Sequence, residues 1–225
     1  QISDILFTTE REGDENLKRE GIAPEKIHFV GNVMVDSVEH HAKQAPEAAL
    51  TLASLGLNIT CPYALLTLHR PSNVDHKDQL QALLKAIGEI SRTTPVIFPA
   101  HPRTMASIRK FGLDDLLKDI HVVEPLSYIS MLSLMKSAAI VMTDSGGLQE
   151  ETTALGVQCF TLRDNTERWI TVKQGTNTMV GTKPEALLAT YKEFQNGAVK
   201  TGSRPELWDG NAAERIVAIL EKAFA

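Results

Sequence analysis

Short apolar runs alternate along the chain with longer stretches in which apolar residues recur every three or four positions. The runs cover residues 4–9, 27–30, 63–68, 95–99, 120–123, 138–142 and 158–162, with a shorter strand-like piece at Met179-Val180-Gly181. Runs of this kind, apolar without a polar alternation, are typical of parallel strands covered on both faces. Between them the spacing predicts helices over 11–20, stopped by Gly21, and over 46–55, stopped by Gly56. A helix over 78–90 carries Leu80, Leu83, Leu84, Ile87 and Ile90 on one face. Further helices are expected over 104–111, 128–135, 148–155 (closed by Gly156), 184–194 and 212–224. Pro24-Glu25-Lys26 reads as a turn, and Gly31-Asn32 breaks the pattern, so a domain hinge is expected between Gly31 and Ser37. Strand–helix alternation with apolar strands predicts an α/β fold with a doubly wound parallel sheet.

Polar and glycine-rich groups fall where the strands end. His69-Arg70 follows one, His101 and Arg103 the next, then Glu124, then Asp144-Ser145-Gly146-Gly147, then Arg163 to Arg168. Ligands of open α/β sheets bind outside the carboxyl ends of the strands, so these five ends are expected to form one rim of one cleft. The stretch from the strand at 138–142 through Ser-Gly-Gly into a helix suits a phosphate. A helix start offers unpaired N–H groups and the positive end of a dipole, and two glycines let an oxyanion reach the backbone without a Cβ in the way. The same stretch also reads as a plain turn, with Ser145 or Gly147 as N-cap and Glu150 as its capping-box partner.

Individual roles stay open at this level. His69 can carry a proton near neutrality or pair with a phosphate as a cation; it can also be a strand-end histidine bonded to a backbone carbonyl. Arg70 and Arg103 suit bidentate phosphate contact or a surface ion pair. His101, between Ala100 and Pro102, fits a rigid site loop or a structural turn. Glu151 in the first turn of its helix competes with a phosphate for the same dipole. It is therefore expected to point away from it and to accept hydrogen bonds from a diol such as a ribose. Arg168 closes the rim opposite, or pairs with Glu167 or Glu151.

Composition narrows the classes. The chain has 225 residues, 43% of them hydrophobic, enough for one large domain or one domain plus part of another. A net charge of −5 argues against a nucleic-acid partner, which needs a basic face. An anionic ligand must then be met by local Arg and His. There is no run of about 18 apolar residues and no signal pattern, so a cytoplasmic protein without a membrane partner is expected. Cys61 and Cys159 lack metal-ligand spacing and are expected to be reduced and structural. The glycine motifs of P-loop NTPases, dinucleotide dehydrogenases and serine hydrolases are missing. The chain opens on Gln1 and enters a strand at once, as the interior of a longer protein would.

With these residues assembled, the chain resembles the non-hydrolysing UDP-N-acetylglucosamine 2-epimerases. The resemblance runs through Gly31-Asn32, Thr67-Leu68-His69-Arg70-Pro71-Ser72-Asn73-Val74-Asp75, His101-Pro102 and Glu124-Pro125-Leu126. It continues through the stretch from Thr143 to Glu151, through Arg163-Asp164-Asn165-Thr166-Glu167-Arg168, and through Gly175-Thr176-Asn177. It implies a Rossmann-like doubly wound parallel sheet, the C-terminal half of a GT-B type two-domain fold. Residues 1–33 would end the N-terminal domain and form the hinge. Residues 34–225 would be the UDP-binding domain, with a last helix crossing back.

The resemblance also implies UDP or UDP-N-acetylglucosamine as ligand, and no cofactor. Ser145, Gly146 and Gly147 would take the pyrophosphate, Glu151 the ribose hydroxyls, and Arg168 would lie beside the nucleotide. His69 would be the catalytic group near diphosphate and sugar, and the segment from Leu126 to Met131 would hold uracil. Arg70 and His101 match positions implicated in binding a second, regulatory UDP-N-acetylglucosamine. The implied reaction inverts C2 of UDP-N-acetylglucosamine to give UDP-N-acetylmannosamine, by elimination of UDP to a glucal and re-addition. The carboxylates that move the C2 proton would come from the missing N-terminal domain. Full-length members are commonly homodimers. Trp169 stands where many members have Pro, which bears on the local loop shape. A GT-B glycosyltransferase, a hydrolysing epimerase and a non-catalytic UDP-sugar-binding domain would all share this nucleotide site.

Overall fold

The computed structural model describes residues 2–225. Strands β1 (Leu6–Thr8) and β2 (Ile27–Phe29) pair in parallel as a separate two-stranded sheet, joined through helix α1 (Arg11–Arg19). Helices α2 (Val33–Ala42) and α3 (Ala48–Ser54) follow. Strand β3 (Ala64–Thr67) then begins the main sheet and leads through α4 (Pro71–Val74) and α5 (Lys77–Ser91) to β4 (Val96–Pro99). The alternation continues with α6 (Pro102–Phe111), β5 (His121–Val123), α7 (Tyr128–Ser137), β6 (Ile140–Thr143), α8 (Gly146–Leu155), β7 (Cys159–Thr161), α9 (Trp169–Lys173) and β8 (Asn177–Met179). Helices α10 (Pro184–Gln195) and α11 (Ala212–Phe224) end the chain. The six strands of the main sheet are all parallel, in the order β5-β4-β3-β6-β7-β8.

The central strands of the main sheet are mostly apolar because both faces are covered. Side chains alternate across a strand, so Ala64, Leu66, Phe98, Ile140 and Met142 pack into one core with α5. Leu65, Ile97 and Val141 pack into a second core with residues of α2, α3 and α7. On α5 the predicted stripe Leu80, Leu83, Leu84, Ile87 and Ile90 is wholly buried. Each such side chain contributes about 1.5–3 kcal/mol by leaving water.

Three helices escape the sequence reading. At α2, where only a hinge was expected, Asn32 Oδ1 accepts the Met34 N–H at 2.9 Å and starts a helix. α4 and α9 are a single turn or little more, too short to show a period. β8 lies two residues before its expected place. Its buried Asn177 bonds Thr161 at 2.6 Å and Gln149 at 3.1 Å, and a polar core residue hides a strand from a hydrophobic reading. Cys159 is buried and free as expected. Cys61 is free but exposed, so it has no structural role in packing.

The small sheet is tied to the rest near Gly31. Its φ is +89°, and a Cβ there would run into the Leu207 carbonyl. Leu207 itself is left-handed, at φ 59°. Arg215 Nη1 donates to the Val30 carbonyl at 3.0 Å, and the buried Trp208 donates from Nε1 to the Thr9 carbonyl at 2.9 Å. Asp36 on α2 accepts the N–H groups of Ala212 and Ala213 at 3.1 and 2.7 Å and so caps α11. No helix among the described residues is long and apolar enough to cross a membrane.

Candidate functional site

A cavity of about 220 Å³ opens at the carboxyl ends of β3, β4, β5 and β6. Its wall includes His69, His101, Leu126, Met131 and Ser145, which come from four successive strand ends and the helix after β5. Five residues singled out in the sequence thus share one surface. Arg70, Gly146, Gly147, Glu151 and Arg168 are not part of its wall, and Arg70 lines a separate cavity with Arg163 and Asp164.

Asp144, the residue after β6, organises the β3 end. It is fully buried, and its carboxylate accepts from His69 N at 3.0 Å, Arg70 N at 2.9 Å and Asn73 Nδ2 at 3.1 Å. His69 Nδ1 lies 3.1 Å from the same carboxylate. Burial alone would raise the Asp144 pKa; the bonds from His69, Arg70 and Asn73 outweigh it and hold the carboxyl below its ordinary range. The His69 ring therefore faces a carboxylate. Asp144 was placed on the expected rim but given no role of its own. The available signal was a charged residue closing an apolar strand, directly before Ser-Gly-Gly.

His101 has two roles. Its Nδ1 accepts the Arg103 N–H at 3.2 Å as N-cap of α6, while the ring faces the cavity. Arg103 takes the surface-pair option, 2.6 Å from Asp75. Arg70 Nε donates to the Asp144 carbonyl at 3.3 Å, and its Nη2 lies 3.8 Å from Glu167.

At the glycine turn, α8 begins at Gly146, two residues earlier than expected. Ser145 occupies the N-cap position, but its side chain makes no capping bond. Glu150 does not cap either. Asn32 Nδ2 donates to it at 3.0 Å, and Arg168 Nε lies 3.0 Å away. Arg168 thus pairs with Glu150 rather than Glu167 or Glu151. Its Nε–H is not aimed along a hydrogen bond, so the buried nitrogen keeps an unspent donor. Burial raises the Glu150 pKa, against the pull of Arg168 and Asn32. Glu167 reaches back over the turn. Its Oε1 is 2.7 Å from where a Gly146 Cβ would stand, and Arg163 holds it at 2.9 Å. The Arg163 bond keeps the Glu167 pKa below its ordinary value.

Glu151 is buried beside Tyr128, the first residue of α7. Burial pushes its pKa up to about 7, partly offset by the Tyr128 hydroxyl and reinforced by Glu150. Tyr128 is pushed up to about 12 by burial and by Glu151.

This geometry has relatives. A family model described as UDP-N-acetylglucosamine 2-epimerase matches residues 1–221. The chain belongs to the UDP-N-acetylglucosamine 2-epimerase family. A UDP-N-acetylglucosamine 2-epimerase of Methanocaldococcus jannaschii is 40% identical over 225 residues, which cover 97% of this chain and 61% of that protein. The crystal structure of the M. jannaschii UDP-GlcNAc 2-epimerase in complex with UDP-GlcNAc and UDP matches with a TM-score of 0.86 at 38% identity, covering 98% of this chain and 62% of that one. A UDP-2,3-diacetamido-2,3-dideoxy-D-glucuronate 2-epimerase of Pseudomonas aeruginosa is 34% identical over 226 residues, 99% of this chain and 61% of that protein. The chain thus spans about three-fifths of the length of these relatives. Its parallel sheet between helices is a Rossmann-like half of the GT-B arrangement found in the epimerase family. Trp169 is the first residue of α9. Pro suits that position because its fixed φ is already helical and its missing N–H is not needed. Trp at the same place leaves the helix intact.

Proposed function

We propose that the chain is the UDP-binding half of a UDP-N-acetylglucosamine 2-epimerase. The carrying observation is that His69, His101 and Ser145 face one cavity beside the Gly146-Gly147 helix start, in a fold whose relative was crystallised with UDP-GlcNAc and UDP. Ser145, Gly146 and Gly147 take the diphosphate, Leu126 and Met131 pack on uracil, and Glu151 meets the ribose hydroxyls. Arg168 lies beside the nucleotide. A base removes the C2 proton, the C–H electron pair forms the C1–C2 double bond, and the C1–O bond breaks toward UDP. Re-addition with a proton on the opposite face inverts C2. Charge grows on the leaving diphosphate, where His69 and the fixed N–H groups of the helix start stabilise it. Arg70 and His101 belong to a second, regulatory sugar-nucleotide site.

The base belongs to a further domain, because the chain spans about three-fifths of the length of its relatives. Residues 1–33 are the end of that domain and the hinge, residues 34–225 the UDP-binding domain. The separate pairing of β1 with β2 supports this division. The complete enzyme is a cytoplasmic homodimer. A second reading keeps the reaction and changes the sugar, since the P. aeruginosa relative is named for a diacetamido-glucuronate substrate.

Titration calorimetry tests the site. UDP is expected to bind the 225-residue chain with a Kd of roughly 0.1–1 mM, about −4 to −5.5 kcal/mol. Gly146→Ala is expected to weaken it at least about tenfold, with little change in melting temperature, because its Cβ meets only the mobile end of Glu167. The isolated chain is expected to form no N-acetylmannosamine product in a coupled assay. Absence of saturable UDP binding, or turnover by the chain alone, overturns the reading. Full-length enzyme given UDP-N-acetylglucosamine alone equilibrates the sugar. A transferase would need an acceptor, and a hydrolysing epimerase would release free sugar and UDP.

A further inference from the structure

Two imidazoles stand on the cavity wall with ring centroids 6.3 Å apart, and each has one nitrogen already committed. His69 Nδ1 lies 3.1 Å from the Asp144 carboxylate, which only accepts when ionised. That nitrogen must carry a hydrogen. His101 Nδ1 faces the Arg103 backbone N–H at 3.2 Å, which only donates. That nitrogen must be bare. A neutral imidazole has a single N–H, so the two rings hold it on opposite atoms: Nδ1 in His69, Nε2 in His101.

We propose that Asp144 is a positioning residue that fixes His69 in its Nδ1–H form, so that the cavity presents a ring-nitrogen acceptor at His69 opposite a ring N–H donor at His101. The proposal rests on the epimerase reading and says how His69 meets its ligand. Neutral His69 offers a lone pair at Nε2, which suits a hydroxyl. A second proton can enter only at Nε2, because Nδ1 is already filled. The resulting N–H then serves a phosphate oxygen, while the buried carboxylate behind stabilises the cation. An aspartate behind a catalytic histidine of a hydrolase triad sets tautomer and orientation in the same way.

The site is built for a carboxylate and for nothing isosteric. Three N–H donors bond Asp144, from His69 N, Arg70 N and Asn73 Nδ2, and His69 Nδ1 lies 3.1 Å from the same carboxylate. An asparagine offers one oxygen and turns two N–H groups of its own toward those donors.

Long-range proton–nitrogen NMR spectra of the ligand-free, nitrogen-15-labelled chain test the assignment. They are recorded at a pH above which the ring nitrogen shifts no longer change. His69→Gln and His101→Gln identify the two rings. Wild-type His69 is expected to show a pyrrole-like Nδ1 and a pyridine-like Nε2, and His101 the reverse. His69 protonated at Nε2 overturns the proposal. In Asp144→Asn, His69 is expected to populate both forms, His101 to stay unchanged, and UDP affinity to fall about tenfold. His69 wholly in the Nδ1–H form in that variant removes Asp144 from the role. Should the variant fail to fold, the wild-type spectrum decides by itself. No UDP is present in the spectra, so a wrong nucleotide assignment leaves their outcome untouched.

Discussion

At Glu151 two demands on one carboxyl conflict. Burial raises its pKa to about 7, while the ordinary value of an unfolded glutamate is about 4.3. The folded protein therefore binds this proton more tightly than the unfolded chain. The contribution to stability is fully present below the unfolded pKa and is lost as pH rises through about 7. Above that pH the ionised carboxylate costs on the order of 3 kcal/mol. Glu151→Gln is expected to melt higher than wild type above pH 7, by roughly 6–12 °C, with the gap closing toward pH 4.5. A gap independent of pH would show that the carboxylate is not strained. The same variant is expected to bind UDP more weakly, because a ribose diol loses its charged acceptor. The place of Glu151 early in the helix was readable in the sequence, but α8 begins at Gly146, so Glu151 is the sixth helical residue and lies beyond the first turn. Tyr128 as neighbour was not readable, because it comes from another helix. Glu150 shows the same limit. Its capping pattern is local, but its partner Asn32 lies 118 positions away and wins.

Among the elements, those with a long local period were legible and the short capped ones were not. The stripe on α5 and the apolar runs of β3 and β6 state their burial in their own residues. α2 does not, because its start is decided by a single side chain. Asn32 caps the helix with Oδ1 and holds Glu150 with Nδ2. Asn32→Ala is expected to cost about 1 kcal/mol for the cap and about 1–3 kcal/mol for a buried carboxylate left short of a donor. Urea unfolding is the measurement, with the midpoint falling and the slope unchanged. Asn32→Asp is expected to be worse, since it keeps the cap but sets a second carboxylate against Glu150. A midpoint unchanged by the alanine would mean that α2 forms without its cap. β8 was misplaced for a related reason, as its buried Asn177 belongs to a hydrogen-bonded cluster with Gln149, Thr161 and Thr171.

For the whole molecule, the alternation of strands and helices was enough to give the parallel sheet. The joining of the small sheet to the large one was not visible, because it depends on loop residues 205–211 folding back. A two-stranded sheet is marginal in isolation, and β1 and β2 are each three residues long. Their order depends on the ties from Trp208 and Arg215 and on Arg11, whose guanidinium lies 4.2 Å over the Phe29 ring. Trp208→Phe removes the bond to the Thr9 carbonyl, worth about 1 kcal/mol. Amide exchange in Leu6–Thr8 and Ile27–Phe29 is expected to quicken about fivefold, with less than about twofold change in the six-stranded sheet. Equal acceleration everywhere would mean that the two sheets open as one unit.

The strand order has a bearing on biosynthesis. β3 sits at the centre of the sheet, but one of its two neighbours is β6, and the paired Thr67 and Thr143 are separated by 76 positions. While the polypeptide is still growing, β4 can cover one side of β3 soon after it emerges. The other side stays bare until β6 has been translated. A ribosome paused before Ile140 therefore carries a central, largely apolar strand with an open edge, a template for joining the wrong neighbour.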